Sequence, residues 1–172
     1  MNQTIHMMSD AGKFFQNKLE YTCRQMRLTV VRFLEDDVGR YAAVLEDAKH
    51  RKYLFATKRY IFFRTDMWGI VSFTRSLVEI AANHGYTLLM LIEEKDDEIP
   101  KDYIYTFRPS DILENQHTFE NDFNLQKMLN VDITMALNLE PTRRKEILDT
   151  RVLLKKGNKE DTYNMTITRY AK

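Results

Sequence analysis

Residues 86–92, with the sequence YTLLMLI, form an uninterrupted run without a charged side chain. A strand with one solvated face alternates apolar and polar residues, whereas a strand buried on both faces is apolar at successive positions. The run therefore predicts the central strand of a sheet that is covered on both sides, as in α/β proteins. Gly85, immediately before it, is suited to the position just after a helix.

Two helices are predicted in the first two thirds of the chain. Phe15 and Leu19 lie on the apolar stripe of a helix over residues 11–25, which Asp10 can cap. A second helix over residues 72–84 follows a loop at 65–69. These two helices supply the cover that the central strand requires.

The strands are rich in β-branched and aromatic residues, and turn residues separate them. They are predicted at residues 28–34, 40–45, 52–57, 60–63 and 103–107. The third and fourth form either a strand pair or one long strand broken near Lys58. Turns are expected at 36–39 and 47–51, an acidic loop at 93–98, and a short helical turn from Pro109.

The pattern is weaker after residue 115. Residues 123–139 suit a helix followed by a strand, residues 141–149 a short helix, and residues 151–154 and 162–170 a β-hairpin. We therefore divide the 172 residues into an N-terminal arm (1–10), a core domain (11–115) and a C-terminal extension packed on the core (116–172).

Cys23 is the only cysteine, so no internal disulfide can form, and a reducing compartment, cytoplasmic or nuclear, is expected. The chain lacks a run of eighteen apolar residues, and its first residues do not resemble a secretory signal. We accordingly expect no membrane partner.

The net charge of +1 conceals an uneven distribution. Residues 1–75 carry a net +5, residues 76–140 a net −9 and residues 141–172 a net +5. The stretch 49–64, KHRKYLFATKRYIFFR, contains six Lys or Arg, five aromatic residues and no acid. Such a composition suits phosphates and exposed bases, although a strand with one solvated face would account for it too. The candidate nucleic-acid-binding residues are Lys49, Arg51, Lys52, Lys58, Arg59, Arg64 and Arg75.

The order of predicted elements resembles the core of the restriction-endonuclease-like, PD-(D/E)xK nuclease superfamily, nearest to the small archaeal Holliday-junction resolvases. The similarity covers residues 11–113, including the segment 53–58, YLFATK, and the helix-to-strand unit 72–92. It implies a mixed central sheet flanked by helices, with the core order α-β-β-β-α-β-β, extended here by the C-terminal helix and hairpin. Members of the superfamily are often dimers.

In that superfamily, two carboxylates hold Mg²⁺ or Mn²⁺ and a lysine positions the attacking water. The second acid and the lysine are two residues apart, so both point to the same side of a strand. Lys58 occupies the lysine position, but Ala56 stands where the acid belongs. The first acid would fall near Arg40 or Tyr41, which cannot bind a metal. The resemblance thus implies a degenerate metal site.

Acids elsewhere could restore a catalytic site. Asp36 or Asp37 could combine with Asp47 and Lys49, where Asp47 and Lys49 have the acid-x-lysine spacing, although they fall in a predicted turn. Glu79 on the second helix could instead combine with Lys58.

Three functions stay open from the sequence. The first is a nucleic-acid-binding module, for DNA or RNA, that retains the nuclease-like fold with a decayed metal site. The second is an active endonuclease that depends on Mg²⁺ or Mn²⁺. The third is an interaction subunit that docks a protein partner, or a second copy, through the C-terminal extension.

Overall fold

A computed structural model describes residues 10–35, 41–62, 68–95, 101–114, 126–128, 132–135, 150–157 and 162–169. Three helices and ten strands lie in these ranges. In chain order they are α1 (Asp10–Met26), β1 (Thr29–Glu35), β2 (Tyr41–Glu46), β3 (Lys52–Phe62), β4 (Trp68–Thr74), α2 (Arg75–His84), β5 (Thr87–Lys95), β6 (Lys101–Phe107), α3 (Pro109–Leu113), β7 (Gln126–Met128), β8 (Asp132–Met135), β9 (Thr150–Lys156) and β10 (Thr162–Arg169).

Six of the strands form a mixed sheet in the order β1-β2-β3-β5-β6-β8. The pairs are antiparallel except β3 with β5, which run parallel. Parallel neighbours need a crossover connection, and the chain between β3 and β5 contains β4 and α2. The prediction of an α/β protein with a mixed central sheet flanked by helices is confirmed.

The other four strands form an antiparallel sheet in the order β4-β10-β9-β7. β4 precedes residue 115, whereas its neighbour β10 lies near the end of the chain. The predicted hairpin is confirmed as β9 and β10. Because β8 also joins the six-stranded sheet, the segment after residue 115 contributes strands to both sheets.

β5 is buried on both faces, as its uniform apolarity predicts. Leu88, Met90 and Ile92 point to one side, where α2, α3 and the four-stranded sheet complete a hydrophobic cluster. Leu89 and Leu91 point to the other side, where α1 covers the sheet. The six-stranded sheet therefore separates two cores.

Both long helices bury apolar side chains against the sheet. In α1, Phe15 and Leu19 are buried, as predicted. α2 buries Val78 and Ala81 and ends at Gly85, which adopts the left-handed conformation with φ 72°. The helical turn from Pro109 is confirmed as α3.

Several predicted boundaries are wrong. Residues 68–69 are not loop, and residues 72–74 are not helix, because both belong to β4 and pair with β10. Residues 93–95 are not in an acidic loop but continue β5, paired with β6 up to Glu94. Within the predicted helix and strand at 123–139, the described parts are the short strands β7 and β8. The alternative left open at 52–63 is resolved: β3 is one strand, with an irregular register beyond Lys58.

Some predictions lie outside the described residues. These are residues 1–9 of the arm predicted at 1–10, the turn at 36–39, residues 65–67 and 96–98 of the two predicted loops, and the helix at 141–149.

Candidate functional site

Lys58 is placed by the alternation of β3. Leu54, Ala56 and Lys58 occupy alternate positions and therefore point to the side of the sheet that α2 covers. The register pairs Ala43 of β2 with Phe55. One step further along the two strands, Ala42 therefore lies across from Ala56.

A cavity of about 450 Å³ lies at this end of β2 and β3. The start of α1, the end of β4 and the first turns of α2 complete its walls. Among the residues that the structure describes, its lining contains two cations and no carboxylate. The lining residues are Ala11, Phe14, Phe15, Leu34, Tyr41, Ala42, Ala56, Thr57, Lys58, Arg59, Phe73, Thr74, Ser76, Leu77 and Ile80.

Two alanines occupy the floor of this cavity. Ala42 and Ala56 are each 7% exposed and line it together with Lys58. The residue facing Ala56 is thus Ala42, one position beyond the site near Arg40 or Tyr41 that the spacing predicted. Tyr41 points to the opposite side of the sheet, where its ring lies 5.8 Å from that of Phe15. Only the β2–β3 register identifies Ala42, because nothing in its local sequence distinguishes it.

Arg59 lies on the α1 side of the same strand end. Its guanidinium carbon is 5.0 Å from the ring centroid of Phe14, a cation–π arrangement. Lys58 is half-buried and Arg59 is exposed. The two cations therefore approach the cavity from opposite faces of the sheet.

Asp47 belongs to the β2–β3 turn and is not placed near Lys58. Its Oδ1 accepts hydrogen bonds from the backbone N–H groups of Lys49 and Arg51, both at 2.9 Å. Its Oδ2 accepts from Nε of Arg51 at 2.7 Å and from the Tyr53 hydroxyl at 3.2 Å. Both carboxylate oxygens thus have partners that close the turn.

These hydrogen bonds change the ionisation of the turn. Desolvation favours the neutral acid, but the donors from Arg51, Lys49 and Tyr53 outweigh it and lower the pKa of Asp47. Desolvation, together with the bond to Asp47, raises the pKa of Tyr53. A carboxylate held in this way closes the turn. The predicted partners of Asp47 and Lys49 in a metal site, Asp36 or Asp37, lie outside the described residues.

The other sequence candidates have different outcomes. Glu79 is exposed on α2 and does not line the cavity. Arg75, the first residue of α2, is half-buried between the cavity-lining residues Thr74 and Ser76. Three candidates, Asp36, Asp37 and Arg64, lie outside the described residues.

The remaining cations lie at the other end of β3. Lys52 starts the strand, six residues before Lys58, which corresponds to roughly 20 Å along an extended chain. Lys52 and Arg51 line a second concavity with His50 and His84. Because Asp47 pairs with Arg51, and the Glu46 carboxylate lies beside His50, acidic groups share this end with the cations. The basic tract is therefore not one continuous surface.

An ion-pair cluster that sequence reasoning missed holds α1 on the sheet. Lys18 lies 3.0 Å from Oε2 of Glu93 and 2.8 Å from Oδ2 of Asp102, which are paired neighbours on β5 and β6. Desolvation would lower the pKa of Lys18, but its bonds to Asp102 and Glu93 raise it overall. The spacing of 75 residues or more between Lys18 and its partners leaves no local signal.

The described part of the chain contains no group of three or more His, Cys, Asp or Glu side chains able to hold a metal ion. Within it, too, no helix has the length and apolarity needed to cross a membrane. Comparison with models of known protein families, with curated proteins and with solved structures found no match to this chain.

Proposed function

We propose that this protein binds nucleic acid at the Lys58 end of β3, on a nuclease-like scaffold that no longer holds a catalytic metal. The phosphate backbone contacts Lys58 and Arg59, with Arg75 nearby on α2. The resemblance to the restriction-endonuclease-like superfamily supplies the scaffold part of this proposal. The order α1, β1, β2, β3, α2, β5, β6 agrees with it, with β4 as an added strand between β3 and α2.

The observation that carries the proposal is the composition of the cavity at this strand end. The described part of its lining contributes two cations and no carboxylate, and alanines occupy the two facing positions beside Lys58. A site that binds a divalent cation requires carboxylate oxygens, whereas a site that binds phosphate requires positive charge. The composition favours phosphate.

The alternatives receive less support. An active endonuclease would need carboxylates at one site with a lysine. Asp47 closes the turn at the other end of β3, Glu79 is exposed outside the cavity, and Asp36 and Asp37 lie outside the described residues. An interaction subunit that docks a partner through the hairpin would need a separable extension. Instead, Val152, Leu154 and Met165 of that hairpin are buried in the core.

A binding titration tests the proposal. We expect the double variant Lys58→Ala/Arg59→Ala to bind labelled branched, duplex and single-stranded DNA and single-stranded RNA at least about tenfold more weakly in fluorescence anisotropy at low salt. The slope of log affinity against log salt concentration should become shallower by about two, because binding with two fewer phosphate contacts releases about two fewer counterions. The same measurement shows whether DNA or RNA is preferred.

A charge-matched control separates the site from general electrostatics. Arg24→Ala/Arg108→Ala removes two exposed cations outside the cavity and should change affinity less than threefold. Equal losses in both double variants, or none in either, would remove the proposal. Cleavage of any substrate with Mg²⁺ or Mn²⁺, abolished by Lys58→Ala, would replace it with the endonuclease.

A further inference from the structure

We propose that the cavity beside Lys58 encloses the base of one nucleotide, whose phosphate lies on Lys58 and Arg59. This inference rests on the proposed function and deepens it, since it adds a site for an unpaired or extruded nucleotide to the surface that binds the backbone. The same chemistry belongs to a free mononucleotide, and the experiment below distinguishes the two sources.

The dimensions of the cavity suit such an occupant. Its volume of about 450 Å³ lies within the range of roughly 300–1,000 Å³ typical of small-molecule pockets. The space exists because Ala42 and Ala56 have short side chains on the floor. A carboxylate at either position would reduce the space and repel a phosphate.

Aromatic rings line the walls. Phe73 lines the cavity from the side of the sheet that α2 covers and contacts the ring of Tyr163 at 5.8 Å, whereas Phe15 lines it from the α1 side. Both rings are almost fully buried. Phe14, half-buried at the rim, carries the guanidinium of Arg59 over its ring. Enzymes and binding proteins that take a base out of the stack hold it against aromatic and apolar side chains.

Polar groups occupy positions that a nucleotide can use. Thr57, Thr74 and Ser76 line the cavity, and the Ser76 hydroxyl donates to that of Thr74 at 3.3 Å. Hydroxyl groups can donate to or accept from the edge of a base. Lys58 and Arg59 provide positive charge for the attached phosphate. Aromatic walls, hydroxyl groups and cations together favour a nucleotide over a purely apolar ligand.

The test uses a DNA duplex with one unpaired 2-aminopurine and the same duplex fully paired. We expect the unpaired form to bind about tenfold more tightly, the factor that stacking of one base supplies. We also expect the bound 2-aminopurine to become at least about threefold less accessible to quenching by acrylamide, because it is enclosed. The four deoxynucleoside monophosphates, with inorganic phosphate as control, report binding of a free nucleotide by calorimetry.

Filling the cavity should remove these effects while leaving the charges in place. Ala56→Leu should abolish both the preference for the unpaired duplex and the shielding. The matched control is Ala82→Leu on α2, which does not line the cavity. If circular dichroism shows that Ala56→Leu is unfolded, Leu77→Phe fills the same cavity from α2.

The outcomes separate this inference from the proposed function. If the filled variants retain the preference and the shielding, the cavity is not the base site, although loss of binding in Lys58→Ala/Arg59→Ala would still uphold backbone binding. If monophosphates bind but no oligonucleotide does, the site takes a free nucleotide and the proposed function fails. If neither the unpaired base nor the monophosphates are bound, the inference is wrong.

Discussion

Asp47 receives hydrogen bonds from two backbone N–H groups, from the Arg51 guanidinium and from the Tyr53 hydroxyl. Lys49 and Arg51, close to Asp47 in the sequence, are both candidate phosphate ligands. The hydrogen-bond partners of the Asp47 carboxylate nevertheless assign it to the turn. At the other end of β3, Ala56 contributes through its small size, because its short apolar side chain leaves space for the cavity.

Replacing Asp47 by Asn tests the role of its charge. Because the folded state lowers the pKa of Asp47, the ionised carboxylate stabilises the protein above its ordinary pKa of 3.8, and this contribution is lost as pH falls through the folded value. We expect Asp47→Asn to be less stable than the wild type in urea unfolding at pH 7. The difference should shrink as the pH falls below 3.8.

Tyr53→Phe provides the comparison, because it removes one donor and keeps the carboxylate. It should reduce stability less than Asp47→Asn at pH 7. A stability difference between Asp47→Asn and the wild type that stays constant from pH 7 to pH 2 would contradict the role of the charge.

At the scale of elements, the fold depends on where helices end and how they attach to the sheet. α2 stops because Gly85 turns into the left-handed region, while the N–H of Tyr86 donates to the carbonyl of Ala81 at 2.8 Å. α1 attaches through its apolar stripe and through Lys18. Since Phe14 and Lys18 are four residues apart on one helix, the ion pairs also hold the aromatic rim of the cavity.

Gly85→Ala should destabilise the protein by about 1 kcal/mol, the cost of placing a Cβ in the left-handed conformation. A Cβ at this position would meet no atom within 4 Å, so the effect would come from the backbone alone. Urea unfolding measures it. Gly85→Asn should lose less stability than Gly85→Ala, because Asn tolerates this conformation better. Equal stability of the wild type and both variants would contradict the prediction.

Lys18→Met should lower the free energy of unfolding by about 2 kcal/mol, because it leaves the carboxylates of Glu93 and Asp102 without their shared cation in a partly buried place. The triple variant Lys18→Met/Glu93→Gln/Asp102→Asn should recover part of the loss, since no uncompensated charge is left. Thermal and urea unfolding report both effects. A triple variant less stable than Lys18→Met would show that the carboxylates have other stabilising partners.

At the scale of the whole molecule, the two sheets share one hydrophobic cluster. Val71 and Phe73 of β4 pack with Met165 and Ile167 of β10, next to Met90 of the central strand. Residues from both sides of position 115 thus complete the same core. The C-terminal strands are consequently part of the folding unit of the protein.

Met165→Ala, at a position that is fully buried, should lower the free energy of unfolding by about 3 kcal/mol. Because the core is shared, near- and far-ultraviolet circular dichroism should still report one coincident transition. Val31→Ala, on the exposed surface of β1, should change stability by less than about 0.5 kcal/mol. Two separate transitions would show instead that the C-terminal extension folds separately.

Local patterns predicted much of this fold. The apolar run at 86–92 identified the central strand, the stripe containing Phe15 and Leu19 identified α1, and Gly85 marked the end of α2. These signals are visible because strand and helix periods, and the preference of glycine for positive φ, depend on residues close together in the chain. The lysine position at Lys58, by contrast, comes from the resemblance to the nuclease superfamily and stays a prediction.

The rest was decided by contacts between distant residues. β4 is a strand because β10 pairs with it, and Glu93 continues β5 within reach of Lys18 from another element. The facing pair of Ala42 and Ala56 depends on the register of two strands, and the separation of the basic tract into two ends depends on β3 being one extended strand. Sequence periodicity specifies which side chains share a face, but only the tertiary structure determines which face meets which, and therefore where the cavity lies.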